Sequence, residues 1–252
     1  MSILDVLHDE ENQGGYGDLF LGVTVGVVTD IDDPEKLGRL KVRILNRDKS
    51  DYETDFIRVM TPMAGKKWGS FFFPEVGDEV LLAFNQGDIN RPYVLGALWN
   101  KEYPPPAAIE NQQNHIRKVK TKSGHEIIFD DENEKESITV KTPKELSLTL
   151  DDQNEIIKIT DAQGNNLISI DSQKGEIKVT GENKLSLLSG RSSVTLDSQK
   201  NSVDLESGQS LNIKAQQINI KANTSLNLQG GTELTAQSSG KTNISGTIVK
   251  IN

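Results

Sequence analysis

From Ile138 onward the chain repeats one short pattern: two apolar residues flank a polar one, a polar spacer follows, and the apolar pair returns. The pairs are Ile138/Val140, Leu146/Leu148, Ile157/Ile159, Ile168/Ile170, Ile177/Val179, Leu185/Leu187, Val194/Leu196, Val203/Leu205, Leu211/Ile213, Ile218/Ile220, Leu226/Leu228 and a weakened Leu234/Ala236. Alternation at a period of two puts both members of a pair on one face of a short strand, because successive side chains in a strand point to opposite sides. The spacers, such as Ser172-Gln173-Lys174-Gly175 and Leu188-Ser189-Gly190-Arg191, carry the residues of corners and turns. Each repeat therefore predicts one strand and one corner.

A unit of this size cannot bury its apolar face alone, so the repeats must stack or meet copies of themselves. Neighbouring pairs start about eight or nine residues apart, whereas a single-chain β-helix needs roughly 20 or more residues per turn to build three walls. One repeat supplies one wall. The simplest closed solution is three chains wound about a common axis, a homotrimeric triple-stranded β-helix or β-prism. A lone chain leaves much of its apolar surface in water while still losing backbone entropy, so the trimer is expected to be obligate. The longer spacing across residues 154–167 predicts an irregular layer.

Before Pro104-Pro105-Pro106 the pattern differs. Residues 21–29, 38–45, 55–60, 78–84 and 92–99 read as five strands with Gly, Pro and Asp at their turns. Five strands in about 80 residues without a helix suit a small barrel of the OB type. Pro74-Glu75-Val76-Gly77-Asp78 reads as a turn that launches a strand, and Pro92 suits a strand start. The aromatic run Phe71-Phe72-Phe73 is expected in the barrel core and in domain packing. Lys66-Lys67-Trp68 is too small a cluster to carry nucleic-acid binding, and Arg91 reads as solvated or locally paired.

Several motifs in this half resemble a known family. Thr61-Pro62-Met63-Ala64-Gly65, Pro74-Glu75-Val76-Gly77-Asp78-Glu79-Val80 and Gly87-Asp88-Ile89-Asn90-Arg91-Pro92-Tyr93-Val94-Leu95-Gly96-Ala97-Leu98-Trp99-Asn100 are similar to the OB domain of VgrG and related phage-baseplate spike proteins. Val27-Val28-Thr29-Asp30 and Gly38-Arg39-Leu40-Lys41-Val42-Arg43 fit the start of that domain, and Thr121-Lys122-Ser123-Gly124-His125-Glu126-Ile127-Ile128-Phe129-Asp130-Asp131 fits the segment that joins it to the spike. The resemblance covers most of residues 23–131. It implies the central spike of a contractile injection machine: a phage tail, a type VI secretion apparatus, or an extracellular or tailocin-like device.

Unlike full-length VgrG, the sequence has no large hub region before the barrel, so a separate hub protein is expected, with Ile3, Leu4, Val6 and Leu7 reading either as a short amphipathic turn that docks on it or as a frayed terminus. A metal-binding His-x-His tip is absent. By the resemblance, Gly246, Thr247, Ile248, Val249, Lys250, Ile251 and Asn252 then form the platform for a PAAR-type tip protein, and effector cargo is an optional passenger. The domain reading is 1–19 hub-docking segment, 20–103 OB barrel, 104–137 neck and 138–252 spike.

Composition narrows the functions. With no cysteine, disulfides and thiolate metal sites are excluded. The N-terminus lacks the pattern of a secretory signal peptide and no stretch approaches a membrane span, so synthesis in the cytoplasm and later incorporation into a virion or injection particle are expected, with only transient contact with a target membrane. A net charge of −9 argues against a phosphate-backbone partner and keeps a long rod soluble. His8, His115 and His125 lie far apart in sequence, with three-fold symmetry the one route to a His site at the neck. No motif sets a serine or threonine nucleophile against a base, and Asp130-Asp131 and Asp151-Asp152 read as solvated turns. No enzyme, cofactor or metal is expected. The competing reading, a trimeric carbohydrate-binding or depolymerising fibre, calls for aromatic platforms and paired carboxylates, and Phe129 is the only aromatic after residue 104.

Overall fold

The computed structural model describes residues 22–45 and 52–251. Among them every regular element except a short 3-10 turn at Asn85–Gly87 is a β-strand. The chain divides into two compact units, one running to Lys178 and one from Val179.

The first unit opens with a closed barrel. Its strands are β1 (Val23–Asp30), β2 (Arg39–Ile44), β3 (Ile57–Val59), β6 (Glu79–Phe84) and β7 (Pro92–Ala97), closed in the order β1-β2-β3-β7-β6. All pairings are antiparallel except β3 with β7. Burial alternates along β2 and β6, as period-two patterning requires. Val28, Leu40, Val42, Val80, Leu82 and Val94 fill the interior and are essentially inaccessible to water. Gly26 lets β1 approach β2, because a Cβ there would sit 2.3 Å from Val42 Cγ1. Gly77, at φ 97°, turns the chain into β6, and the Asp78 carboxylate accepts the Glu75 N–H at 2.9 Å across the same turn. These are the five expected strands, and Pro92 opens the last of them.

The loop from β1 to β2 is held by a buried carboxylate. Asp33 accepts the N–H groups of Glu35 and Leu37, at 3.1 and 2.9 Å, and both its oxygens receive the Arg39 guanidinium at 2.7 and 3.0 Å. The Arg39 fork holds the Asp33 carboxyl far below the usual carboxylate range.

One part of the barrel departs from the sequence reading. A small hairpin, β4 (Ala64–Gly65) with β5 (Trp68–Gly69), stands apart from the closed sheet. The aromatic run follows it, and only Phe73 packs against the core. Phe71 and Phe72 are 82% and 77% exposed, which overturns their assignment to the interior. The barrel interior is filled by residues of its five strands, Phe84 among them. Arg91 meets the expectation of local pairing, with Asp88 3.4 Å away.

After the barrel the same unit builds a meander. The strands are β8 (Ile116–Lys120), β9 (Glu126–Asp130), β10 (Ser137–Lys141), β11 (Ser147–Asp151), β12 (Ile156–Thr160), β13 (Leu167–Asp171) and β14 (Glu176–Thr180), ordered β14-β13-β12-β11-β10-β9-β8 in one sheet. The spacers here are reverse turns between antiparallel neighbours and not corners between walls. Asp side chains make them: Asp151 accepts the Asn154 N–H at 3.0 Å and Asp171 the Lys174 N–H at 2.9 Å. The stretch expected to be an irregular layer is regular. Residues 161–166 absorb the extra length as a longer turn tied by Asp161 and Asn166, and Ile157 faces Ile170 while Ile159 faces Ile168.

The second unit carries a three-stranded antiparallel sheet, β15 (Lys184–Ser189), β16 (Ser192–Asp197) and β17 (Ser202–Glu206). Beyond it, residues 207–251 keep the apolar pairs of the repeat but contain no strand.

Two outcomes follow for the barrel. Phe73→Ala should lower the stability of its unfolding transition by roughly 2 kcal/mol or more, whereas Phe72→Ala should stay within about 0.5 kcal/mol of the parent, both read by denaturant titration. The Asp33 contribution is present above the unfolded carboxylate pKa of about 3.9 and is lost as pH falls below it. Asp33→Asn should therefore destabilise the barrel at neutral pH and flatten its stability profile on the acid side.

Candidate functional site

The register of the meander lines up its apolar residues in two columns. One runs Val119, Ile127, Val140, Leu148, Ile159, Ile168, each directly opposite the next. The other runs Phe129, Ile138, Leu150, Ile157, Ile170. Leu148 therefore pairs in the sheet with Leu150, while Leu146 sits in the preceding turn, where its carbonyl accepts the Thr142 N–H. The alternate positions Thr139, Thr149, Lys158 and Ser169 occupy the opposite, polar face. Seven strands at ~4.8 Å spacing make this face about 30 Å long. Among the described residues of the same unit nothing covers it: apart from half-buried Leu148, its members range from 37% exposed at Ile170 to 49% at Ile159.

The three-stranded sheet of the second unit repeats the arrangement. Leu185 faces Leu196 and Leu187 faces Val194, and Val194 and Leu196 in turn face Leu205 and Val203. Along residues 207–251 the pairs Leu211/Ile213, Ile218/Ile220 and Leu226/Leu228 are all exposed. Of the platform residues, 246–251 are exposed and lie outside any strand, with Ile251 at 90%. Asn252 lies outside the described residues, as do Ile3, Leu4, Val6, Leu7 and His8.

A monomer in water rarely leaves a contiguous apolar patch above a few hundred Å², and the area here extends over two columns of aliphatic side chains. A second, smaller apolar patch sits on the barrel, where Met63, Trp68, Phe71 and Phe72 are exposed around the β4–β5 hairpin. The sequence reading missed it, and only the three consecutive aromatics hinted at it.

The titratable groups are engaged in structure. Asp151 is held below its usual range by hydrogen bonds from Asn154, Asp161 by Asn166, and Asp171 by Lys174. Glu126 lies between Lys120 at 2.9 Å and Lys118 at 3.3 Å, and these ammonium groups lower its pKa. The acidic pairs are turn formers, as expected: Asp130 accepts the Glu132 N–H and Asp151 the Asn154 N–H. His125 occupies the exposed β8–β9 turn, with its N–H on Thr121 Oγ1 at 3.1 Å, and His115 lies just before β8, at the other end of that hairpin.

Comparison with known proteins agrees with this architecture. Residues 24–99 match the type VI secretion system/phage-baseplate injector OB domain. The type VI secretion system spike protein VgrG1a of Pseudomonas aeruginosa is 37% identical over 76 residues, which is 29% of this chain and 12% of that protein. The match to the spike protein VgrG3 of Vibrio cholerae extends past the barrel, at 27% identity over 132 residues, 49% of this chain and 13% of the relative. The actin cross-linking toxin VgrG1 of the same species is 26% identical over 136 residues, 52% of this chain and 12% of its own length. This chain thus spans only a small part of the relatives it matches. The closed barrel is thus a type VI secretion/phage-baseplate injector OB domain, and over it the chain is similar to VgrG spike proteins.

Proposed function

We propose that three copies of this chain form the central spike of a contractile injection machine and that the spike works by stiffness, without bond chemistry. The observation that carries this reading is the uncovered apolar face, together with residues 207–251, which repeat the strand pattern with no strand partner among the described residues. A copy of the same sequence offers the complementary surface and the matching repeat. Three apolar faces turned toward a common axis bury one another's aliphatic columns and leave the Thr, Lys and Ser positions in water.

Within this proposal the load passes along a continuous dry core. Aliphatic side chains packed at the density of a protein interior resist compression, and backbone hydrogen bonds across the sheets resist shear. The barrel end seats on a separate hub protein and residues 246–252 seat a PAAR-type tip, whose contact pairs the backbone groups that the last strands leave open. The assembled spike is carried in an injection particle and crosses the target membrane only on firing. A sugar-binding fibre is less well supported, because Phe129 is the only aromatic after residue 104 and it stands within an apolar column, opposite Ile138.

Light scattering on the purified full chain tests the assembly. The expected mass is that of three chains. Ile159→Asp places a carboxylate in the buried seam and should break the trimer, whereas Lys158→Ser, on the polar face, should leave the mass unchanged. A folded monomer, or an Ile159→Asp variant that stays trimeric, would contradict the reading.

A further inference from the structure

At the open end of the β8–β9 hairpin, three metal-ligating side chains converge. One donor atom each from His115, Asp130 and Glu132 lies within 4.8 Å of the other two. The cluster is a product of the fold, since β8 and β9 run antiparallel with Ile116 opposite Asp130. The ladder continues one step beyond the strands, where the Asp131 N–H donates to the His115 carbonyl at 2.9 Å and fixes the backbone of the imidazole-bearing residue against β9. The Glu132 N–H donates to Asp130 Oδ1 at 3.0 Å, which orients that carboxylate. All three side chains are half-buried.

We propose that His115, Asp130 and Glu132 bind one first-row divalent transition cation per chain. The donor set selects that class: an imidazole nitrogen with two carboxylate oxygens suits zinc, manganese, cobalt or nickel, whereas magnesium and calcium prefer oxygen donors throughout. Half-burial leaves room for water to complete the coordination.

An ammonium group already marks the position as one that takes positive charge. Lys135 Nζ donates to Glu132 Oε1 at 2.6 Å. Its pKa is raised by that hydrogen bond and, further off, by the charge of Asp130. The surroundings are acidic as well, with Asp131, Glu136, Asp151 and Asp152 along the same edge of the sheet. Asp131 is paired with Arg117. A bound cation displaces Lys135 into solvent, where it is largely exposed, and ties the start of β8 to the end of β9. Because β8 is the edge strand of the seven-stranded sheet, this clip holds the strand that has a neighbour on one side only.

The test uses the full chain without an affinity tag, stripped with a chelator and titrated with zinc chloride by calorimetry alongside thermal melting. Wild type should bind one zinc per chain saturably and melt at a higher temperature when loaded. His115→Ala should weaken binding by more than about tenfold, His125→Ala at the far end of the hairpin should leave it unchanged, and Lys135→Gln should tighten it a few-fold. Circular dichroism of each variant confirms that the fold is retained. No saturable binding by wild type, or binding that His115→Ala leaves intact, would overturn the proposal. A Lys135→Gln variant no tighter than wild type would overturn the placement of the ion against Glu132. The result does not depend on the number of chains in the particle, so it stands or falls separately from the spike reading.

Discussion

One constraint governs this protein: a sheet with two columns of aliphatic side chains on one face cannot stay uncovered in water. A helix or second sheet from the same chain normally supplies the cover, but after the barrel every described regular element is another strand of the same kind. The meander therefore satisfies its backbone within the chain and leaves its side chains to be satisfied outside it. Residues 207–251 leave both. What the chain leaves unsatisfied thus grows along the sequence, from the apolar face alone over β8–β17 to apolar side chains and backbone together beyond Glu206.

The barrel stands in contrast. It closes on itself, so its strands have no open edge, and its core is filled by residues of its own five strands. The Asp33–Arg39 network ties down the loop between β1 and β2 without help from another chain. In the proposed spike this contrast divides the work: the self-sufficient barrel anchors, and the region with the uncovered face transmits force. The exposed ion pair between Glu75 of the barrel and Lys122 of the β8–β9 turn, at 3.0 Å, lies where the two meet and contributes little in water.

The alternation of Ile, Leu and Val was enough to read strands, their inner face and the existence of a missing cover, because period-two geometry leaves no other face for Ile157 and Ile159. What each strand pairs with was not legible. A spacer of about five polar residues serves equally as a corner between walls or as a reverse turn, and the choice is settled by cross-strand packing that the local sequence does not encode. The same ambiguity hid the shift from Leu146/Leu148 to Leu148/Leu150, since all three share one face. Phe71 and Phe72 were misread because hydrophobicity states that a ring should be covered, not whether its own barrel covers it. The cluster of His115, Asp130 and Glu132 needed the β8–β9 register, which joins positions some fifteen residues apart.

Hydrogen–deuterium exchange of the intact particle at residues 207–251 tests the central claim most directly. These amides have no strand partner among the described residues, so lasting protection points to pairing outside the chain. The account predicts slow exchange across the repeats at Leu211–Ile213, Ile218–Ile220 and Leu226–Leu228, comparable to that of the meander strands. Exchange at the rate of an unstructured peptide would contradict it.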